Sequence, residues 1–266
     1  MTSAPPLVAA SLPMQHLVRD AARWALRTSP LLLSGEAGTG KATLALAIHA
    51  NGPRRASPYL ALDCRTLGHT AADGPVSVAR WEAALQRTRG GSVFLHAIDT
   101  LPAILQVRLV RLLTEQRLTG NCPVRFLAST TVDLAAAVAI DRFRQNLFYS
   151  LIPLSVPPLR DRLLDLPVLI HQLLHHLGAP QATLTPEVWQ ALRAHPWPGN
   201  LRELEVVLER AVRLRDTDTL TLTDFPDLQP AHLVASSPHT TRATHAPNTS
   251  ALPSPQWARR DRLHGY

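Results

Sequence analysis

The sequence is short of the residues that mark secreted and membrane proteins. Only two cysteines occur in 266 residues, Cys64 and Cys122, too few for a disulfide framework. The chain does not open on a basic stretch followed by an apolar run and a small-residue cleavage site, so a secretory leader is not expected. No stretch approaches the ~20 consecutive apolar residues of a membrane helix. A cytoplasmic protein in a reducing compartment, folding without disulfide or metal support, is the expectation. Lysine is scarcer still. Lys41 is the only one, every other fixed cation being arginine, and a compact ammonium kept at one position suits a point contact with phosphate better than a planar fork does. The net charge of +7 is spread over scattered arginines. No basic run interleaved with aromatics appears, which weighs against a dedicated nucleic-acid surface.

What is present is enough for one good core and a satellite, since 45% of residues are hydrophobic. Residues 1–12 are small and proline-bearing and are expected to fray. Met14, Leu17, Val18, Ala21, Ala22 and Ala25 recur at helical spacing and predict an amphipathic first helix. Five short apolar runs follow, Leu31–Ser34, Tyr59–Leu62, Val93–His96, Val124–Ala128 and Ile152–Val156, with helical stretches between them. That alternation predicts an α/β domain over residues 13–160, with a five-stranded parallel sheet covered on both faces. After Pro157 and Pro158 the pattern is helical, over Leu164–Leu177, Thr185–Ala194 and Asn200–Leu214. This predicts a small all-helical lid over residues 161–227. Residues 228–266 are mainly Pro, Ser, Thr, His, Ala and Arg without periodicity, the composition of a disordered tail.

The string Gly35-Glu36-Ala37-Gly38-Thr39-Gly40-Lys41 follows the first predicted strand and opens a helix. In that context a glycine-rich string is a phosphate cradle: backbone N–H groups wrap the phosphates, Lys41 adds charge and the helix N-terminus adds its dipole. ATP or ADP is the expected ligand. Ala42 stands where a Ser or Thr hydroxyl usually binds Mg²⁺.

Seven blocks resemble the AAA+ central domain of the sigma-54-dependent transcription activators, the bacterial enhancer-binding proteins. The loop at Gly35 is similar to their GESGTGKE, and Leu60-Ala-Leu-Asp-Cys64 to their VAVNC strand. Gly90-Gly-Ser-Val-Phe-Leu-His-Ala-Ile-Asp99 resembles GGTLFLDEIG, and Val124-Arg-Phe-Leu-Ala-Ser-Thr130 resembles VRIIAATN. Arg142 to Ser150 parallels RFREDLYYRL, while Pro157 to Arg162 and Trp197 to Leu204 are similar to PPLRER and WPGNVREL. The likeness runs from about Pro13 to Leu222 and implies an AAA+ P-loop NTPase fold with a role in transcription regulation.

The departures fall on working positions. The resemblance implies that His96 and Ala97 replace the Walker B aspartate, which holds Mg²⁺, and the glutamate, which polarises water. Neutral imidazole is a poor ligand for a hard cation and a methyl group takes no proton, so support for Mg²⁺ is weak and hydrolysis is expected to be absent or very slow. Asp99 is read as lying past the strand end and is given no role. Asp63 stands at the asparagine that restrains the family's glutamate, and Thr131 at its sensor asparagine. Arg202 keeps the lid arginine that reports on nucleotide. Arg144 matches the first of two arginines donated to a neighbouring subunit's site, and Ser150 replaces the second.

The family's GAFTGA loop, which presses on sigma-54, has no counterpart between Cys64 and Gly90, and Leu118–Val124 trims the second pore loop. Direct contact with sigma-54 is therefore not expected. A homo- or hetero-oligomer is expected, including a mixed ring with an active paralogue. No receiver domain is expected ahead of the module and no DNA-binding domain within it, the last residues having the wrong composition for paired helices. An active ATPase using substitute groups, or a remnant without ligand, are the competing readings. His171, His175 and His176 read as a solvated helix face rather than a zinc pair. Trp81, Leu85, Trp189 and Trp197 read as structural.

Overall fold

A computed structural model describes residues 7–68 and 74–228. Residues 229–266 of the expected disordered tail, residues 1–6 of the expected frayed start and residues 69–73 lie outside the described residues, while Leu228, expected to open that tail, is buried.

The first part alternates helices and strands: α1 (Leu12–Ala25), β1 (Leu31–Ser34), α2 (Lys41–Ala50), β2 (Tyr59–Asp63), α3 (Gly74–Arg87), β3 (Ser92–His96), α4 (Ala103–Thr119), β4 (Arg125–Thr130), α5 (Leu134–Ala139), α6 (Gln145–Ser150) and β5 (Ile152–Ser155). All five strands are parallel, in the order β2-β3-β4-β1-β5. Because successive strand residues point to opposite faces, the apolar runs of β1, β3 and β4 feed two cores at once. Leu32, Val93, Leu95, Phe126 and Ala128 pack on one face with Trp81, Leu105 and Leu109 of α3 and α4. Leu31, Leu33, Phe94 and Leu127 pack on the other with Met14, Leu17, Leu44 and Ile48 of α1 and α2. Burial on both faces is why these strands read as continuous apolar runs rather than as alternations.

The second part is α7 (Leu166–His176), β6 (Thr183–Leu184), α8 (Pro186–Ala194), α9 (Asn200–Leu214) and β7 (Thr219–Leu220). It has its own core, in which Ile170, Val188, Trp197, Leu204 and Leu208 are buried. Beyond the expected helices, β6 and β7 form a short parallel pair.

The start of the chain differs from the fraying expected of it. Leu7 and Ala9 pack against the α1 side of the sheet. Ser11 is buried, and both its N–H and its hydroxyl donate to the Asp165 carboxylate at 2.6 and 3.0 Å. A small polar side chain at a helix start has no hydrophobic periodicity, so its tertiary partner more than 150 residues on left no trace in the local pattern.

Candidate nucleotide site

In a parallel sheet the carboxyl ends of the strands share one edge, and the loops there build the usual ligand crevice. Here β1 ends at Ser34 and α2 begins at Lys41, so residues 35–40 turn the chain at that edge. Gly40 caps α2 with φ +95°, a left-handed conformation that glycine adopts without steric cost. Gly38 is constrained more tightly. Its φ is +76°, and a Cβ there would meet the Gly199 carbonyl oxygen at 2.1 Å.

Lys41 is 7% exposed. Its Nζ donates to the carbonyls of Gly35 and Glu36, both at 2.6 Å. Burial lowers its pKa, while the negative charges of Asp99 and Glu36 act the other way. The loop is thus folded around its own ammonium, which phosphate oxygens would have to recruit from two carbonyls.

The lid closes on this loop. Asn200 is fully buried at the start of α9 with φ 54°; its Nδ2 donates to Glu36 Oε2 at 3.1 Å and to the Ala37 carbonyl at 3.0 Å, while its Oδ1 accepts from Leu159 N at 2.7 Å. Leu201 N donates to the Gly38 carbonyl at 3.0 Å. Arg160 grips both Glu36 oxygens, at 2.8 and 2.6 Å, and buried Arg162 donates to the Thr39 carbonyl at 2.8 Å. The hydrogen bonds from Arg160 and then Asn200 hold the Glu36 carboxyl down at about 2.

Between loop, strand ends and lid lies a cleft of about 600 Å³. Ala37, Gly38, Thr39, Gly40, Lys41 and Ala42 line it from the loop, His96, Ala97 and Thr131 from the strand ends, and Arg202 from α9. Gly35 and Glu36 sit behind it. Asp63 is not among the lining residues: Arg65, which does line the cleft, chelates the Asp63 carboxylate at 2.7–3.2 Å, and that bond holds its pKa below the usual carboxylate range. Arg144 lies elsewhere, at the start of α6, in a hollow with Gln106, Asp141 and Arg142 that shares no residue with the cleft. Ser150 is remote as well, its hydroxyl donating to the Asn146 carbonyl at 2.7 Å.

Asp99 lies past the end of β3, as expected, but it also lines the cleft. Ala97 adopts φ 53° and caps a short 3-10 turn, Ile98–Thr100, which carries Asp99 beside the end of β4. There its Oδ1 accepts from Thr130 Oγ1 at 2.7 Å. Thr43, Ser129 and Glu205 also line the cleft and were not singled out. Thr43 had a signal, a hydroxyl one residue after the position where one was missed; Ser129 and Glu205 had none without the tertiary fold.

A model of the sigma-54 interaction domain matches residues 7–157, and one of the AAA+ ATPase lid domain matches residues 160–244. The chain is 33% identical to the response regulator protein PilR of Pseudomonas aeruginosa over 98% of its own length and 60% of PilR's. It is 34% identical to the DNA-binding transcriptional regulator NtrC of Rhizobium meliloti over 81% of this chain and 49% of NtrC. The chain therefore spans about half to three fifths of the length of such curated relatives. Among solved structures, NtrX from Brucella abortus in complex with ATP superposes with a TM-score of 0.72 at 30% identity, covering 86% of this chain and 57% of NtrX. The RuvB Holliday junction branch migration motor of Thermotoga maritima shares the fold alone, at 16% identity and a TM-score of 0.60 over 83% of this chain and 71% of RuvB. With a five-stranded parallel sheet, a phosphate loop closed by a helical lid and both family models matched in order, this chain belongs to the sigma-54 interaction domain family of AAA+ P-loop proteins.

Proposed function

We propose that this chain is a nucleotide-holding regulatory AAA+ module that binds ATP or ADP in the loop–lid cleft, hydrolyses it very slowly or not at all, and influences transcription through protein contacts. The observation that carries the reading is a contrast inside one cleft. Lys41, the loop backbone and Arg202 line it, while the two residues at the end of β3 are His96 and Ala97. The first set supplies what polyphosphate binding needs, N–H donors and cations. The second lacks a carboxylate to take a proton from water, a contribution worth about 10²–10⁴-fold. Crystals of the relative NtrX were obtained in complex with ATP and with ADP, in line with a nucleotide in this cleft.

The position of Arg144 supports assembly with other AAA+ subunits. It lies outside its own cleft, as suits an arginine that serves a neighbouring active subunit in a homo-oligomer or mixed ring. Only 25 residues separate Cys64 from Gly90, and 14 of them form α3, which supports action without a sigma-54-pressing loop. A cytoplasmic location fits this role, and among the described residues no helix is long and apolar enough to cross a membrane.

A second reading, a working ATPase, is favoured by one observation, the Asp99 carboxylate in the cleft. Calorimetric titration of the purified chain with ATP and ADP tests the first. The expected result is saturable binding of both, lost in Lys41→Ala. Absence of binding to the folded wild-type chain contradicts it.

A further inference from the structure

The Walker B position that usually supplies a metal-binding acid carries His96, and the cleft still contains a carboxylate three residues later. We infer that Asp99 is the protein ligand for the divalent cation that accompanies a bound nucleotide. This inference rests on the reading that the cleft takes ATP or ADP. It concerns which residue meets the cation, and it leaves Ala97 with no proton acceptor, so metal is held while water stays unactivated.

Mg²⁺ at a nucleotide site takes one or two carboxylates, phosphate oxygens and water. Four carboxylates lie in or beside the cleft, and two are already engaged: Glu36 by Arg160 and Asn200, and Asp63 by Arg65. Glu205 is exposed, on the lid helix α9. Asp99 alone stands on the α/β side, near enough to Lys41 that its charge is felt by that ammonium. Thr130 fixes its Oδ1 at 2.7 Å, and among the described residues no donor is bonded to Oδ2. The left-handed turn at Ala97 and the bonds from Thr100 N and Oγ1 to the Ala97 carbonyl, at 3.0 and 2.8 Å, make its platform rigid.

A second observation points to a ligand at the same place. Ser129, next to Thr130 on β4, lines the cleft and is 1% exposed, yet its hydroxyl has no partner among the described residues. Buried polar atoms are nearly always paired. A hydrated cation held beside Asp99 would bring water oxygens to such a hydroxyl.

The test uses Mn²⁺ as a spin probe for Mg²⁺. Electron paramagnetic resonance measures free Mn²⁺ as the full chain, saturated with ADP, is titrated, and calorimetry in EDTA measures ADP binding without metal. The wild-type chain is expected to hold Mn²⁺ more tightly than ADP does in buffer. Asp99→Asn is expected to lose at least about tenfold in Mn²⁺ affinity, the lower end of what disturbing a metal site costs, while ADP binding in EDTA is retained or tightened, because an anion beside the polyphosphate has been removed. Asp99→Glu should keep part of the affinity, and Glu205→Gln all of it. A chain that binds ADP but holds Mn²⁺ equally well with Asp99→Asn overturns this inference alone. A folded chain that binds no ADP, with or without metal, overturns the nucleotide reading and this one with it.

Discussion

The Asn200 side chain donates to Glu36 at 3.1 Å, joining the first residue of the lid helix α9 to the phosphate loop. The same amide group reaches the Ala37 carbonyl, and its oxygen accepts the Leu159 N–H. One buried side chain thus ties lid to loop beside the cleft that Lys41 and Arg202 both line.

Asn200→Ala removes these bonds, together with a longer one from Nδ2 to the Pro198 carbonyl at 3.5 Å, and places a residue without a local polar side chain at φ 54°. The orphaned Leu159 N–H costs about 1–3 kcal/mol and the left-handed backbone about 1 kcal/mol more. Urea unfolding should therefore show a loss of about 2–4 kcal/mol. A loss under about 0.5 kcal/mol, the range of ordinary surface changes, would show that the bridge is not structural.

Glu36 gives the loop–lid contact a pH dependence. Its pKa is about 2 in the fold against an ordinary 4.5, a depressed carboxylate. The stability it contributes is fully present above pH 4.5 and is lost as pH falls from there through about 2. Glu36→Gln should consequently be less stable than wild type at neutral pH, and the gap should close across that acid range. Melting temperatures of both proteins between pH 2 and 7 read it. A gap that stays constant would mean that the carboxylate charge contributes nothing.

His49 acts near neutrality. It is buried, bonded to Ser92 at 2.9 Å, and burial lowers its pKa from 6.5, so the folded state prefers the neutral ring. Its contribution is complete above pH 6.5 and declines as pH drops toward the folded value, because the unfolded chain takes up the proton first. His49→Gln should flatten the stability profile on the acid side of pH 6.5. An unaltered slope would count against this assignment.

Reinstating the family acids tests what their loss removed. His96→Asp with Ala97→Glu should raise ATP turnover by about 10²-fold or more, the contribution of a positioned base. Ala97 already sits at φ 53°, so the new side chain inherits the existing turn. Equal turnover in wild type and double variant would show that the strand end is not what limits the reaction.

The sheet was legible because buried parallel strands are short apolar runs. Leu31–Ser34 is predicted and found without shift, and β4 differs only in starting at Arg125 and ending at Thr130. The phosphate loop was legible because glycine spacing and a single lysine encode local geometry. The lid–loop staples were not: Asn200, Arg160 and Arg162 meet residues more than 120 positions earlier, and nothing in their neighbours announces the pairing. The place of Asp99 in the cleft was hidden for a different reason: it depends on a left-handed Ala97, and alanine carries no signal for that conformation.

The most direct test of the account is single-turnover chemistry on the protein itself. Wild-type chain saturated with radiolabelled ATP and Mg²⁺ is held, quenched at intervals, and its bound nucleotide separated. The account predicts ATP recovered largely intact, with turnover far below the ~1 s⁻¹ at the low end of typical enzymes. Conversion to ADP at about 1 s⁻¹ or faster, abolished by Lys41→Ala, would contradict it.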